Sequence, residues 1–534
     1  MAKYSMGIDF GTLSGRAVIA DIETGNEIAT SVCEYAHGIM SEEIPCGKKL
    51  PKDYALQHPK DYLDVLYFIT NDCIKKSNIN PSDIIGVGVD FTAATLLPVT
   101  EDGTPLCFMD EFKENPHAYV KLWKHHAAQK EADEINALAK AEGEEWLGQY
   151  GGIISSEWQF PKILEILRED ENLYNHTARF TEAGDWIVRV LTGAACQSVC
   201  TTGFKGMWNE KSGYPSKEFF KKLDPKLENI VGTKISADIN LLSQTAGYIT
   251  KEASEKTGIP EGTPVAPAII DAHAAIPALG ITKPGELLMI IGTSTCHILL
   301  GDKAINIPGI SGYVKDGIID GLYAYEAGQA SVGDSFEWFV SNCIPQSYTL
   351  EAEEKNVNIH TLLRQKAKLL PPGSNGLIAL DWFNGNRTPY VNGSLKGMIS
   401  GLNLGTKPEE IYRALIEATA YGTRRIIEIY EENGIVIKRL YATGGIAEKD
   451  EMLMQIYADV TGKEIFLSDT AFGCAYGSAV LGSVNQNGYG TIFEAAEKMK
   501  KIKDFSYKPN TENKKAYDKV YAEYKELSEY FARK

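Results

Sequence analysis

One segment of this chain occurs twice, at a spacing of about half the chain length. The first copy, residues 6–21, reads MGIDFGTLSGRAVIAD, and the second, residues 287–302, reads LLMIIGTSTCHILLGD. The two central glycines, Gly11 and Gly292, lie 292 − 11 = 281 positions apart in a chain of 534 residues. In each copy an apolar run leads into Gly-Thr and a second apolar run follows, which predicts a β-hairpin. A hairpin repeated at this spacing constrains the fold strongly, because it predicts two related domains that face each other.

Each predicted hairpin tip offers groups that suit a polyphosphate. Small and hydroxyl-bearing residues at a tip present backbone N–H groups and hydroxyls, which are the donors that phosphate oxygens need. In the first copy these come from Gly11, Thr12 and Ser14, and in the second from Gly292 and Thr293. Two ordinary hairpins with Gly-Thr turns would explain either copy alone. The pairing of the copies favours a nucleotide clamp.

The two copies differ in one charge that bears on metal binding. Asp9 precedes the first tip, whereas Ile290 stands at the matching position of the second. A carboxylate beside a polyphosphate predicts a magnesium site, with Asp9 holding Mg²⁺ through water because this ion loses its hydration shell reluctantly. Arg16 follows the tip and can bind phosphate oxygens bidentately. No GxxxxGK[ST] segment occurs, so a P-loop enzyme is excluded.

The order of predicted elements indicates an α/β fold with two large domains. Strand patterns such as Ile84–Phe91 alternate with helix patterns, among them 118–141, and the apolar run 265–270 resembles a strand buried on both faces. Turn residues before the second hairpin place the boundary near residue 282, which gives domains over 1–282 and 283–534. An aromatic stripe near the C-terminus predicts a helix that packs against the body of the protein.

Asp271 is the strongest single candidate for a catalytic group. It ends the apolar run 265–270 and precedes Ala-His-Ala-Ala. The carboxyl end of a buried strand lies at the open edge of an α/β sheet, where ligands bind. A helix N-cap is the alternative role, and the two roles are compatible. With a nucleotide clamp in the same chain, we expect Asp271 to act as a general base that orients an attacking hydroxyl.

Three further charged residues stand among glycines, apolar residues and aromatics, and are therefore expected to be partly buried: Asp90, Lys205 and Glu326. A buried charge requires a partner or a ligand, and a polyhydroxylated substrate would supply one. His273 could be mistaken for the catalytic base because it lies so close to Asp271. A lone histidine among small residues is more often structural, and its role stays open.

The net charge limits the classes of partner that the chain is expected to bind. With 54 Lys and Arg against 71 Asp and Glu, the formal net charge is −17, which argues against nucleic acid or an anionic membrane as the main partner. No signal peptide is expected, and no apolar run reaches the ~18 residues of a membrane span. The nine cysteines lack zinc-ligand spacing, so a cytoplasmic protein with reduced cysteines is expected.

These motifs together resemble those of the FGGY carbohydrate kinases. The resemblance covers essentially the whole chain and rests on DFGTLSGR at 9–16, IGTSTC at 291–296, the Gly444-Gly445 turn and the stretch 397–428. Within that family, the segments most similar to those of L-ribulokinases are 86–99, 115–129 and 270–275. The resemblance implies two ribonuclease-H-like domains of the sugar kinase, actin and chaperone superfamily, with a cleft between them.

The resemblance also implies an activity and its sites. The activity is the phosphorylation of a 2-ketopentose, L-ribulose, on its C5 hydroxyl by ATP and Mg²⁺ in arabinose catabolism. Asp271 takes the place of the family's catalytic base, and Asp9 that of its magnesium-associated aspartate. The positions that match nucleotide contacts are Gly11, Thr12, Ser14, Arg16, Gly292, Thr293, Gly444 and Gly445, and those that match sugar contacts are Lys205, Glu326, Asp271 and the backbone at Ala93.

The sequence departs from the family pattern in two places, and two alternative functions are considered. Leu13 stands where the family usually has a second hydroxyl, so it can offer only its N–H, and Asp271 lies in Ile-Ile-Asp-Ala-His instead of the commoner Gly-Asp context. A xylulokinase or a broad-specificity pentulose or polyol kinase is the nearest alternative. A nucleotide-regulated binding protein is more remote, because it gives no reason for Lys205 and Glu326. A homodimer is an expectation from the family alone.

Overall fold

The structure is a computed structural model that describes residues 2–534. Its strands, in chain order, are β1 (Tyr4–Phe10), β2 (Ser14–Asp21), β3 (Glu27–Glu34), β4 (Leu56–Gln57), β5 (Ile84–Phe91), β6 (Leu96–Val99), β7 (Val120–Lys121), β8 (Arg179–Glu182), β9 (Gly247–Tyr248), β10 (Pro264–Val265), β11 (Ile269–Ile270), β12 (Glu286–Ile291), β13 (Thr295–Gly301), β14 (Gly312–Lys315), β15 (Tyr323–Gln329), β16 (Ile378–Leu380), β17 (Met398–Ser400), β18 (Arg439–Thr443), β19 (Ile465–Ser468) and β20 (Ile502–Tyr507).

The α-helices alternate with these strands along most of the chain. They are α1 (Pro59–Ser77), α2 (Gln129–Glu142), α3 (Trp146–Gln149), α4 (Gln159–Glu169), α5 (Glu171–His176), α6 (Ala183–Thr192), α7 (Val199–Lys205), α8 (Lys217–Leu223), α9 (Ile230–Thr233), α10 (Lys251–Thr257), α11 (Asp271–Ala278), α12 (Gly333–Cys343), α13 (Gln346–Glu354), α14 (Ile359–Ala367), α15 (Pro408–Glu432), α16 (Gly445–Lys449), α17 (Glu451–Thr461), α18 (Gly473–Gly482), α19 (Ile492–Met499) and α20 (Thr511–Ala532).

Two large sheets share one strand order. In the first sheet, β3, β2 and β1 form an antiparallel run, β1 pairs in parallel with β5, and β5 pairs in parallel with β10 and β11. In the second sheet, β15, β13 and β12 form the antiparallel run, and β18 and β19 follow in parallel. Each antiparallel run contains one copy of the repeated hairpin. The predicted α/β class with two related sheets is confirmed.

The two hairpin tips differ in length by one residue. The Gly11 N–H donates to the Ser14 carbonyl at 3.1 Å, whereas the Gly292 N–H donates to the Ser294 carbonyl at 2.9 Å. The structural offset between the copies is therefore 281 before the tip and 294 − 14 = 280 after it. The first tip holds the additional residue, and the side chain of Leu13 there is 59 % exposed.

Helix α18 connects the two halves of the sequence through backbone contacts. It follows β19 of the second sheet but packs on β1 and β5 of the first sheet and on α11. A Cβ added to Gly7 of β1 would lie 1.7 Å from the carbonyl oxygen of Ala475, and one added to Gly477 would lie 1.7 Å from that of Ala274. The small residues at these positions thus let the backbone of α18 approach those of β1 and α11 closely.

The C-terminal helix covers the second sheet's side of the molecule. Tyr517, Tyr521 and Tyr524 of α20 are buried in the same hydrophobic cluster as residues of β12, β18 and α15. The prediction that this aromatic stripe packs against the body is confirmed. No helix in residues 2–534 combines the length and the apolar character that crossing a membrane requires.

Two predicted elements are wrong in their extent. The helix predicted over 118–141 begins only at Gln129, because Val120–Lys121 pairs with β4 and β6 as a short strand. The strand predicted over 265–270 is split into β10 and β11 on either side of Pro267. Proline lacks the N–H that a central strand needs, so the ladder is interrupted there.

Candidate active site

Three carboxylates lie at neighbouring strand ends of the first sheet. Asp9 on β1 and Asp90 on β5 face each other in the parallel register. Ile270 of β11 pairs with Phe91 of β5, so Asp271 leaves the sheet directly beside them. Asp9 and Asp90 are buried, with 4 % and 0 % of their surface exposed, and Asp271 is partly buried. The strand ends thus bring three carboxyl groups together at one edge of the sheet.

Asp9 and Asp90 have different partners at this edge. Asp9 Oδ2 lies 2.7 Å from Nη1 of Arg16 in an ion pair. Ser478 of α18 donates from Oγ to Asp90 Oδ2 at 2.6 Å, but no N–H or hydroxyl of the described residues donates to Asp90 Oδ1. Burial raises the pKa of Asp90 well above its ordinary value, and the charge of Asp9 raises it further. A buried oxygen in this position is where a proton or a cation would be held.

Asp271 is placed to exchange a proton near neutral pH. It is the first residue of α11, and Ile270, not Asp271, is the N-cap. Asp271 Oδ1 accepts the N–H of Ala272 at 2.7 Å. Burial raises the pKa of Asp271 to about 7, and Asp9 adds to the rise, while the Ala272 N–H and the charge of Arg16 oppose it. A carboxyl group with this pKa is suited to general base catalysis.

Lys205 and Glu326 form a buried ion pair between the two halves of the sequence. Lys205 Nζ lies 2.8 Å from Oε1 and 3.0 Å from Oε2 of Glu326. His273 Nε2 lies 3.2 Å from Glu326 Oε2, and His273 Nδ1 lies 3.2 Å from Sγ of Cys200. Burial by itself would raise the pKa of Glu326, but Lys205 and His273 hold it well below its ordinary value. Glu326 is therefore an anion, fixed from two sides.

A cavity of about 720 Å³ has this ion pair in its wall, together with Thr293 of the second hairpin tip. Trp123 also lines the cavity and donates from Nε1 to Oγ1 of Thr12, in the first tip, at 3.2 Å. The volume lies in the range of small-molecule sites. The second tip thus reaches the cavity directly, and the first reaches it through Trp123.

Gly444 and Gly445 lie beside the second hairpin tip. β12 and β18 are parallel neighbours, with Ile290 opposite Thr443 at their carboxyl ends. The φ of Gly444 is +101°, and a Cβ there would lie 2.5 Å from the carbonyl oxygen of Ile291. Glycine is therefore required at this position, because a side chain would be both strained and in collision. Gly445 follows as the first residue of α16.

The predicted site residues form neighbouring groups, and they do not all line one cavity. Asp9, Arg16 and Asp271 share the carboxylate edge of the first sheet, and Lys205 and Glu326 share the cavity wall. Among the described residues, Asp271 does not line the cavity itself. His273, two residues after Asp271, nevertheless lies 3.2 Å from Glu326, between Nε2 and Oε2, so the carboxylate edge and the cavity wall are close together.

Three residues of this region were not predicted from the sequence. Ser478 binds Asp90 from α18, Trp123 connects the first tip with the cavity, and Arg387 lines the cavity from the segment after β16. Only Trp123 could have been identified from the sequence, since it lies in the ribulokinase-like segment 115–129. Ser478 and Arg387 reach the site through tertiary packing, which local sequence does not reveal.

Both halves of the chain match sequence models of a known protein family. The sequence model for the N-terminal domain of the FGGY family of carbohydrate kinases matches residues 4–278. The model for the C-terminal domain of the same family matches residues 287–485. The two matches together cover most of the 534 residues.

Curated relatives are similar over nearly their whole length. A ribulokinase from Bacillus licheniformis is 52 % identical over 526 residues, which cover 98 % of this chain and 95 % of the relative. A ribulokinase from Halalkalibacterium halodurans is 49 % identical over 536 residues, with 99 % and 95 % covered. One from Mycolicibacterium smegmatis is 44 % identical over 533 residues, with 99 % and 94 % covered.

Solved structures of sugar kinases share the fold. A xylulose kinase from Rhodospirillum rubrum superposes with a TM-score of 0.80 at 21 % identity, covering 98 % of both chains. A glycerol kinase from Plasmodium falciparum, solved with ADP, has a TM-score of 0.78 at 17 % identity, also with 98 % of both chains covered. The predicted fold is confirmed over the whole chain.

Proposed function

Because the chain belongs to the FGGY family of carbohydrate kinases, we propose that it transfers the γ-phosphate of ATP to the C5 hydroxyl of L-ribulose and releases L-ribulose 5-phosphate. Support for this sugar comes from the curated relatives named ribulokinase, which are between 41 % and 52 % identical over nearly the whole chain. These relatives do not favour the alternatives, a xylulokinase or a kinase of broad specificity.

The observation that carries the proposal is the position of Asp271, at a strand end, with a pKa raised to about 7 and close to the Lys205–Glu326 pair. In the proposed reaction Asp271 orients the C5 hydroxyl and accepts its proton as the bond from C5 oxygen to phosphorus forms and ADP leaves. A strong base is not needed, because the transition state of phosphoryl transfer is loose. Lys205, Glu326 and the Ala93 backbone would bind the remaining oxygens of the sugar.

We assign the sugar mainly to residues 1–282 and the nucleotide mainly to residues 283–534. The residues proposed to bind the nucleotide are Gly292, Thr293, Gly444 and Gly445 from the second half, with Gly11, Thr12, Ser14 and Arg16 from the first. In the structure Arg16 is paired with Asp9, so phosphate binding would exchange that partner. Closure of the cleft around both substrates would exclude water from the transfer step.

The carboxylate edge fits a magnesium ion. Mg²⁺ prefers oxygen ligands and keeps several of its waters. Asp9 supplies a carboxylate there, and Asp90 has an Oδ1 to which no N–H or hydroxyl of the described residues donates. We therefore propose that Asp9 holds Mg²⁺ through water, with Asp90 beside it. The bound ion would offset negative charge on the phosphates.

Replacement of Asp9 by asparagine tests this assignment. We expect the Mg²⁺ concentration at half-maximal rate to rise about 10–100-fold, because a neutral amide holds the hydrated ion less well. The measurement is a magnesium titration of turnover at fixed ATP. Asp110→Asn, at an exposed aspartate outside the proposed sites, is the matched control, since it makes the same substitution where no ligand is expected, and its magnesium titration should match the parent's. An unaltered titration for Asp9→Asn would remove Asp9 from this role.

The substrate is tested by a coupled assay of ADP release. The panel contains L-ribulose, D-ribulose, L-xylulose, D-xylulose and glycerol, and we expect the highest kcat/KM for L-ribulose. A higher value for either xylulose would replace the proposed substrate. ATP turnover that is indifferent to every sugar would instead indicate a nucleotide-regulated binding protein.

A further inference from the structure

Lys162 is a fully buried lysine that the proposed reaction does not use. It lies on α4, and 0 % of its surface is exposed. We propose that Lys162 is a positioning residue, which holds the segment 92–95 (the 92–95 loop) in the shape that the sugar requires. This inference rests on the proposed function, in which the Ala93 backbone of this loop contacts the sugar.

The 92–95 loop lies beside the proposed catalytic base. It follows β5 directly, and the end of β5 pairs with β11, the strand that leads into Asp271. Ala94 has a φ of +50°, in the left-handed region that residues with a Cβ adopt at a cost. A loop in this conformation needs contacts that fix it. Its shape also decides where the Ala93 backbone stands relative to Asp271.

Lys162 supplies those contacts from one side. Its Nζ donates to the carbonyl oxygen of Ala94 at 2.6 Å, to that of Leu122 at 2.9 Å and to that of Lys121 at 3.3 Å. An ammonium group has three donors, so all of them are used on backbone oxygens. The lysine therefore ties the 92–95 loop to the segment around β7.

Glu182 binds the other end of the same peptide unit. Its Oε2 accepts the N–H of Thr95 at 2.7 Å, and this N–H belongs to the peptide group whose carbonyl oxygen binds Lys162. Lys162 thus donates at the negative end of one peptide dipole and Glu182 accepts at its positive end, which fixes the peptide plane. Thr95 Oγ1 closes the loop by donating to the carbonyl of Thr92 at 2.8 Å.

The same helix reaches the sugar side of the cavity. Trp158, the N-cap of α4, lines the cavity, and Lys205 Nζ lies 5.4 Å from the centre of its ring. α4 therefore holds both the 92–95 loop and the wall next to the Lys205–Glu326 pair. Burying a lysine is energetically unfavourable. The three hydrogen bonds of Lys162 all go to backbone oxygens and hold the conformation of the loop.

The test separates sugar binding from nucleotide binding. Lys162→Met keeps the length of the side chain and removes its donors, and we expect KM for L-ribulose to rise about 10-fold while KM for ATP stays within about 2-fold. Lys140→Met, at an exposed lysine of α2, is the matched control and should leave both constants unchanged. Steady-state kinetics are measured with thermal melts of each variant.

A second variant covers the case in which Lys162→Met does not fold. Thr95→Val has nearly the same shape and lacks only the hydroxyl that closes the loop, and we expect it to raise KM for the sugar selectively as well. Folded variants that change neither constant, or both constants equally, overturn the inference. A parent enzyme that phosphorylates no sugar overturns the proposed function and this inference together. An active parent with unaffected variants overturns the inference alone.

Discussion

Replacement of Asp271 by asparagine should lower kcat by about 10²–10⁴-fold, the range that loss of a general base produces. Asparagine has nearly the same shape, and its amide oxygen can still accept the Ala272 N–H, but it cannot take a proton from the sugar hydroxyl. Turnover is measured by the coupled ADP assay, and ATP binding by calorimetry. Binding of ATP should persist, because Asp271 is proposed to contact the acceptor and not the nucleotide.

The same variant should be more stable than the parent at high pH. Since burial raises the pKa of Asp271 to about 7, the folded state binds a proton between about pH 4 and pH 7 that the unfolded state has lost. The contribution of Asp271 to stability therefore falls as pH rises through this window, and asparagine avoids that loss. The Tm of the variant minus that of the parent should grow from pH 5 to pH 8. Near-parental turnover, or a Tm difference independent of pH, would contradict the assignment.

Replacement of Glu326 by alanine should have the second large effect. It leaves Lys205 buried without its carboxylate, for which we expect a loss of about 3–5 kcal/mol in the free energy of unfolding. It also removes a proposed sugar ligand, so KM for L-ribulose should rise by about 100-fold or more, as for other truncated buried charge pairs. Chemical denaturation and steady-state kinetics measure the two effects.

A double variant distinguishes these two effects. Lys205→Met combined with Glu326→Leu removes both charges, and such a replacement often restores stability. We expect the free energy of unfolding to recover towards the parental value while sugar affinity stays lost. Recovery of sugar affinity in the double variant would show that the pair is structural and does not bind the substrate.

The repeated hairpin and the strand-end position of Asp271 could be predicted from the sequence for physical reasons. A hairpin is a local structure, and its tip residues are adjacent in the chain, so Gly-Thr between apolar runs identifies it. The position of Asp271 at a strand end follows from its place directly after an apolar run. The one-residue difference between the tips was not readable, because it depends on which residues pair across each hairpin.

The remaining parts of the site depend on contacts between distant segments. The pair of Lys205 and Glu326 joins residues 121 positions apart, and Ser478 lies 388 positions from Asp90. The helix predicted over 118–141 was too long because its first part is held by β4 and by the buried pair of Lys121 with Glu165. The helical periodicity of a segment contains no information about such long-range pairing.

Helix α18 determines which parts of this enzyme can rotate as rigid bodies. Its backbone touches β1 and α11 with no side chain between them at Gly7 and Gly477, so it cannot slide over the first sheet. If the proposed cleft closes around its substrates, residues 473–482 travel with the first sheet, although they follow the second one in the chain. The residues after α18 belong to the same unit, since the Asn485 side chain donates to the Ile85 carbonyl and the Lys501 N–H to the Ala278 carbonyl, so the unit that contains the first sheet differs from the first half of the sequence.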